Sequence, residues 1–238
     1  MQQARLIGLD VFRGWAIICM IFFHLTYDLN YFHFIHVNLH THIFWRNFRY
    51  FIVTIFLLSV GISLTMVHRP KIQWHKMFKR TLLLGSFSLL ITMATSIVFP
   101  KSWVYFGILH FILFASWMGL LFLPYPRLAL GIAITILIGS AMGWFHMHGL
   151  FIVLQQPLHL PPTYTEDVVR PFPWFAVVLI GIFIASYNFH ITLLQNRLFS
   201  ASHKLNHLLA FLGKHALWVY LIHLPLLFGL FMLYRSLF

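Results

Sequence analysis

Long stretches of this chain carry apolar residues at almost every position, with the polar residues gathered in the gaps between them. A helix on the surface of a soluble protein breaks its apolar pattern every three or four positions. Here the runs approach the ~20 residues that a helix needs to cross about 30 Å of hydrocarbon. Seven candidate spans follow, at roughly 9–31, 46–67, 80–99, 103–123, 127–146, 172–190 and 208–234. The third, fourth and fifth are joined by very short connections, which predicts antiparallel neighbours. A β-barrel would alternate apolar and polar residues in segments of about ten, and that alternation is absent. Neither an internal repeat nor a low-complexity linker divides the chain. The pattern predicts an all-α fold: a polytopic transmembrane bundle of about seven spans, forming one membrane-embedded domain over residues 1–238.

Composition strengthens this reading. Of 238 residues, 61% are hydrophobic and 8% charged, with a mean hydropathy of +0.85. A soluble domain carries roughly a quarter of its residues as charges. The net charge of +12 would suit nucleic acid. Its distribution does not, because the basic residues sit at the ends of apolar runs, where they set topology and meet anionic headgroups. Membrane lipids, not nucleic acids, are the expected partners. The one cysteine, Cys19, excludes an intrachain disulfide and a Cys-rich metal site. The first apolar run is interrupted by Asp10 and Arg13, and no small-residue cleavage site follows, so it does not read as a cleavable signal peptide.

Lysine and arginine set the expected orientation. The densest basic cluster is Arg69, Lys71, Lys76, Lys79 and Arg80, between the second and third spans. Placing it in the cytoplasm puts the N-terminus inside and the C-terminus outside. Arg5, Arg127, Arg197 and Lys204 then join it on the inner side, against Arg46, Arg49, Lys101, Arg170 and Arg235 on the outer side. Two outer loops are long. Residues 32–45 hold His33, His36, His40 and His42, and residues 147–171 hold Pro157, Pro161, Pro162, Glu166, Asp167, Arg170 and Pro171. Loops of this length act as lids or binding loops, or else as plain connectors.

The chain has four carboxylates, and their placement is its most informative feature. Asp10 and Asp28 lie at the two ends of the first span, while Glu166 and Asp167 are adjacent in the second long loop. On a helical wheel at 100° per residue, Asp10, Arg13, His24 and Asp28 share an arc of about 60°. An ionisable group inside a bilayer costs roughly 2.5–3.5 kcal/mol even on the lenient insertion scale, so such groups face the bundle interior or water. Asp10 and Arg13 can be read as an i,i+3 pair that anchors the helix at the membrane edge. His24 lies about 21 Å along the axis from Asp10. Asp28, one turn further, would orient it and make it more basic, as a general base requires. A histidine that only hydrogen-bonds a neighbouring helix is the competing reading.

Two further histidines are placed inside the membrane, His110 in the fourth span and His223 in the seventh. Taken singly, each is more often structural than catalytic; together with His24 they would line one polar cavity. Lys214 and His215 open the last span and would face that cavity from the inner side. The pairs His36/His40 and His203/His207 have i,i+4 ligand spacing but no carboxylate or third ligand beside them, so no metal is expected. Hydrolase, Walker, zincin and dinucleotide-binding motifs are all absent. Lys76, Lys79 and Arg80, with Arg13 at a similar level, would attract a polyphosphate such as the nucleotide end of coenzyme A. Ordinary positive-inside residues would look the same.

Taken together, these positions resemble a known family. Arg5-Leu-Ile-Gly-Leu9-Asp10-Val-Phe-Arg13-Gly14, followed by Ile17, Met20 and His24, resembles the opening signature of the transmembrane acyltransferase superfamily. The nearest likeness is to small bacterial proteins similar to the catalytic region of heparan-α-glucosaminide N-acetyltransferase. It continues through Tyr27-Asp28-Leu29, Gly61-Ile62-Ser63-Leu64, Lys79-Arg80, Phe106-Gly107-Ile108-Leu109-His110, Pro171-Phe-Pro173-Trp174 and Gly213-Lys-His215-Ala-Leu217. It closes on Tyr220-Leu221-Ile222-His223-Leu224-Pro225, so it spans nearly the whole chain.

The resemblance implies a bacterial inner-membrane enzyme that moves an acetyl group from cytoplasmic acetyl-CoA to a carbohydrate acceptor at or across the membrane, with a homodimer as a candidate assembly. The more distant acyltransferase-3 family also has an intramembrane histidine in its first span, matching His24. In the heparan enzyme the acetyl-carrying histidine is proposed in the following outer loop, where this chain has His33 and His36. The choice between His24 and that loop stays open. The site expected on these grounds has His24, Asp28 and His110 as catalytic residues. Asp10, Arg13, Lys76, Lys79 and Arg80 would hold the donor, and His36, Glu166, Asp167, Trp174, His215 and His223 the acceptor. The rival from another class is a transporter or channel that passes a small solute or protons through the same His/Asp cavity.

Overall fold

A computed structural model describes residues 6–39, 41–145, 153–161, 165, 168–195, 199 and 204–237. The described residues are helical, with no strand among them. In chain order the main helices are α1 (Ile7–Tyr31), α2 (Ile43–His68), α3 (Trp74–Val98), α4 (Ile108–Leu120), α5 (Pro126–Ala141), α6 (Pro171–Ser186), α7 (Phe189–Leu194), α8 (Lys204–Lys214) and α9 (Ala216–Leu237). Four of them, α1, α2, α3 and α9, are long and apolar enough to cross a membrane. Helices α4, α5 and α6 fall on three further predicted spans but have only 13, 16 and 16 residues. At 1.5 Å per residue they are roughly 20–24 Å long. Gly107 delays the start of α4, whereas α5 and α6 start at Pro126 and Pro171 and end early, before Gly143 (φ 71°) and Asn188 (φ 60°).

Two boundaries differ from the hydropathy pattern. Helix α3 begins at Trp74, so Lys76, Lys79 and Arg80 stand on its first turns and not in the preceding loop. The predicted span 208–234 is divided, because α8 ends at Lys214 and α9 starts at Ala216. Between them the His215 amide donates to the carbonyls of both Phe211 and Leu212. Helix α8 is amphipathic, burying Asn206, Leu209 and Gly213 on one face.

The chain forms two compact units, the first from residues 1–59 and 189–238 and the second from residues 60–188. In the first unit α1 packs on α8 and α9. The approach to α8 is close enough that a Cβ on Gly14 would collide with the Leu209 carbonyl, and one on Gly213 with the Asp10 carbonyl. Small residues at a helix crossing permit this in lipid, where van der Waals contact drives association in place of the hydrophobic effect. Ile17, Met20 and Ile52 form a core with Leu212, Ala216, Val219 and Tyr220 against it. Ring contacts then climb in step along α1 and α9, from His24 with His223 to Tyr31 with Phe228, and Phe34 meets Phe231 and Tyr234. The two helices therefore run side by side in the same direction.

In the second unit α5 packs on α6, α3 on α4, and α4 on α6. Leu64, Met77, Phe111, Leu179 and Ile182 are fully enclosed there. Both units leave large apolar side chains outward, among them Leu82, Leu89 and Ile97 on α3 and Trp218, Leu226 and Leu230 on α9. Such faces are stable only where the solvent is lipid. The protein is an integral membrane protein.

Candidate functional site

The first unit holds a polar cluster inside an apolar helix pair. Asp28 of α1 is 1% exposed, and its Oδ2 has no hydrogen-bond partner among the described residues. One turn earlier, His24 meets Phe23 and, across on α9, His223, whose ring centroid lies 5.0 Å from its own at 61° between planes. No hydrogen bond holds the His24 ring in one tautomer among the described residues. His223 is 5% exposed. Its Nδ1 lies 2.7 Å from the Tyr220 carbonyl oxygen and 3.1 Å from that of Val219, while its Nε2 is buried with no partner among the described residues. Carbonyl oxygens only accept, so the proton on this ring is on Nδ1, and Nε2 presents a lone pair.

Near the start of α1, Asp10 and Arg13 form the expected i,i+3 ion pair, with Nη1 2.9 Å from Oδ1. Asp10 is buried, and its carbonyl lies under Gly213 at the crossing of α1 and α8. His215 sits half-buried at the α8–α9 junction against Phe211. His33 and His36 lie beyond the end of α1, exposed and stacked 6.3 Å apart. The loop that carries them is tied back where the Val37 amide donates to Asn30 Oδ1 at 2.8 Å.

The second unit holds a different kind of site. Ser63, Leu64, Val67 and His68 at the end of α2 and Lys76 and Arg80 at the start of α3 line a cavity of about 170 Å³. That is well below the roughly 300–1,000 Å³ of a pocket that takes a whole organic ligand, and is suited to a small anionic group. Buried His68 accepts the Gln73 amide on Nδ1 at 3.1 Å. A neutral ring held this way carries its proton on Nε2, leaving that nitrogen as a donor. Arg80 Nε donates to Ser116 Oγ at 3.0 Å, which anchors the guanidinium. Of the basic residues expected to hold a donor, Lys76 and Arg80 line this cavity, Lys79 is exposed on α3 outside its lining, and Arg13 belongs to the first unit.

His110 is also in the second unit, and both of its nitrogens are in use. The Gly107 amide donates to Nδ1 at 3.3 Å, so Nε2 carries the proton and donates to Thr92 Oγ1 at 3.1 Å. Thr92 in turn donates to the Val104 carbonyl at 2.8 Å. The histidine caps α4 in the manner of an N3 side chain reaching back to its N-cap amide. Trp174 is half-buried near the start of α6. Glu166 and Asp167, like His40 and His203 of the two spaced pairs, lie outside the described residues. Among the described residues no group of three His, Cys, Asp or Glu side chains gathers to hold a metal ion.

Sequence reading did not single out His68 and Ser63, which line this cavity with Lys76 and Arg80. The signal was present: a histidine at the end of a span, eight positions before Lys76 and twelve before Arg80, lies at the mouth of the basic cluster. Comparison with known proteins places these residues in a family frame. The family model described as "Heparan-alpha-glucosaminide N-acetyltransferase, catalytic" matches residues 5–225. No curated protein and no solved structure matches the chain.

Proposed function

The chain belongs to the family of heparan-alpha-glucosaminide N-acetyltransferase catalytic regions, and from that premise we propose that it moves an acetyl group from acyl-CoA to a sugar hydroxyl or amine at the membrane. One observation carries the proposal beyond the family: beside His24 in the first unit, Asp28 Oδ2 and His223 Nε2 are buried with no hydrogen-bond partner among the described residues. A scaffold would pair such atoms, because each one left unpaired costs about 1–3 kcal/mol. Groups kept unpaired inside an apolar bundle suit a reactant that brings its own hydrogen bonds.

In this reading the acceptor enters the cluster, its proton is taken up there, and its oxygen or nitrogen attacks the thioester carbonyl. The C–S bond then breaks, and the CoA thiolate leaves with a proton. Arg80, Lys76 and the Nε2–H of His68 support binding of a donor phosphate, since two cations and a fixed donor face one small cavity. Arg13, fixed by Asp10, adds positive charge at the start of α1. Asp28, one turn from His24 on α1, offers a further buried polar group to the acceptor. His36, Trp174, His215, Glu166 and Asp167 remain proposed acceptor contacts. His110, with both nitrogens committed, serves by holding the start of α4. The basic loop faces the cytoplasm, with the C-terminus outside.

The test uses full-length protein in lipid nanodiscs, [acetyl-¹⁴C]acetyl-CoA as donor and glucosamine as acceptor. Labelled N- or O-acetylglucosamine and free CoA should appear together. His24→Ala should slow that release about 100-fold, the size of loss that misplacing a reactant by about 1 Å can cause. Wild-type protein that neither binds nor cleaves acetyl-CoA, yet passes protons or solute across vesicles, would replace this reading with the transporter one.

A further inference from the structure

His110 and His68 of the second unit show how the scaffold uses such rings. His110 uses both nitrogens, and His68 spends Nδ1 on a backbone amide and keeps its proton on Nε2. His223 is a different case. Its proton is pinned on Nδ1 by the carbonyls of Val219 and Tyr220, and Nε2 is buried beside His24 with no partner among the described residues. An imidazole whose Nδ1–H is held by an oxygen acceptor is oriented for proton uptake at Nε2, as when a carboxylate holds the ring in a catalytic triad.

Local sequence explains the lock. Val219 and Tyr220 stand four and three residues before His223, so their carbonyls line the helix wall directly beneath its ring. Pro225 follows two residues later inside α9. It has no amide to give to the Leu221 carbonyl, one turn back. The Val219 and Tyr220 carbonyls each have two lone pairs, so they can accept from the His223 side chain beside their helix amides.

Resting on the acyl-transfer reading above, we infer that His223 Nε2 is the general base of this protein, with His24 positioning the acceptor across from it. The acceptor O–H or N–H gives its proton to Nε2 as its heavy atom bonds to the acetyl carbon. The thioester C–S bond breaks, and the leaving thiolate recovers that proton. No oxidant, metal or further reactant is needed. The same geometry explains why His24 has no hydrogen bond of its own: its ring is left to turn toward whichever hydroxyl or amine lies between the two imidazoles.

The test pairs kinetics with a readout that does not depend on turnover. In nanodiscs, with acetyl-CoA and glucosamine, His223→Gln and His223→Ala should each lower kcat about 100-fold while leaving the KM for acetyl-CoA within about twofold. Added imidazole should restore part of the rate to His223→Ala and none to His223→Gln, whose side chain still fills the site. In ¹⁵N-histidine spectra of the wild type, the His223 signal should be that of a ring protonated on Nδ1 with Nε2 bare. If wild type turns over and both variants stay within threefold of it, or the ring is protonated on Nε2, His223 is not the base although acyl transfer stands. If wild type neither binds nor cleaves acetyl-CoA, the acyl-transfer reading fails and this role falls with it.

Discussion

His110 and His223 both stand between large apolar neighbours inside apolar helices, Leu109 and Phe111 in one case and Ile222 and Leu224 in the other, yet the two units use them in opposite ways. In the second unit the ring is enclosed in a chain of bonds running from the Gly107 amide through Thr92 to the Val104 carbonyl. In the first unit the chain stops half-way, at a bare Nε2 facing His24. Burial does not separate these two histidines. The bonds made by their ring nitrogens do, because a nitrogen already donating or accepting within the scaffold cannot exchange a proton with a substrate without breaking that bond.

The largest effects should come from deleting one ring of each kind. His223→Ala should lose two orders of magnitude in turnover and keep most of its thermal stability. His110→Ala should do the reverse, destabilising the second unit by about 1–3 kcal/mol through the orphaned Gly107 amide and Thr92 hydroxyl, while turnover per folded molecule stays within about twofold. Thermal melts in nanodiscs alongside initial rates would read both axes. A variant pair that moved together on both would erase the distinction.

Next in size is Arg80→Gln, which removes a cation from the cavity lining and weakens the tie to Ser116. Affinity for acetyl-CoA should fall about tenfold, equivalent to about 1.4 kcal/mol, and the loss should shrink with rising salt as screening takes over. Affinity for dephosphorylated pantetheine thioester should not change. Smaller again is Thr92→Val, an almost isosteric change that removes the relay between His110 and Val104. It should cost about 1 kcal/mol in stability and leave kcat untouched, locating the role of His110 in the scaffold.

The parts of this molecule that were legible in the sequence are those with a short-range cause. The four long helices follow from long apolar runs, and the α1 stripe of Asp10, Arg13, His24 and Asp28 follows from the 3.6-residue period. The break at His215 had a local signal in Gly213-Lys214-His215, but a window long enough to find a span averages over three residues, and the close passage of Gly14 and Gly213 shows why the chain turns there. His24 and His223 were each singled out, but their pairing depends on α1 and α9 running in the same direction, which no local pattern encodes. The ring tautomer that distinguishes them depends on two particular carbonyls. The reach of α3 back to Trp74 was obscured by the charge of Lys76, Lys79 and Arg80, which lowers hydropathy without breaking a helix.

That last correction leads to the smallest effect and the finest discrimination. Lys76, Lys79 and Arg80 were grouped by charge, but on a helix the three do not point alike. Lys76 and Arg80 are four apart and share a face, whereas Lys79 is turned about 60° from Lys76 and about 100° from Arg80, in the same sense from both. Accordingly Lys76 and Arg80 line the cavity with His68, and Lys79 stays exposed outside it. An exposed charge with solvent around it is worth about 0–1 kcal/mol to a neighbouring anion. Lys79→Ala should therefore change acetyl-CoA affinity by less than about threefold at physiological salt, against tenfold for Arg80→Gln. Equal losses in the two variants would mean that the donor lies across the outer surface of α3 and not in the cavity, and the contribution of His68 would then have to be found elsewhere.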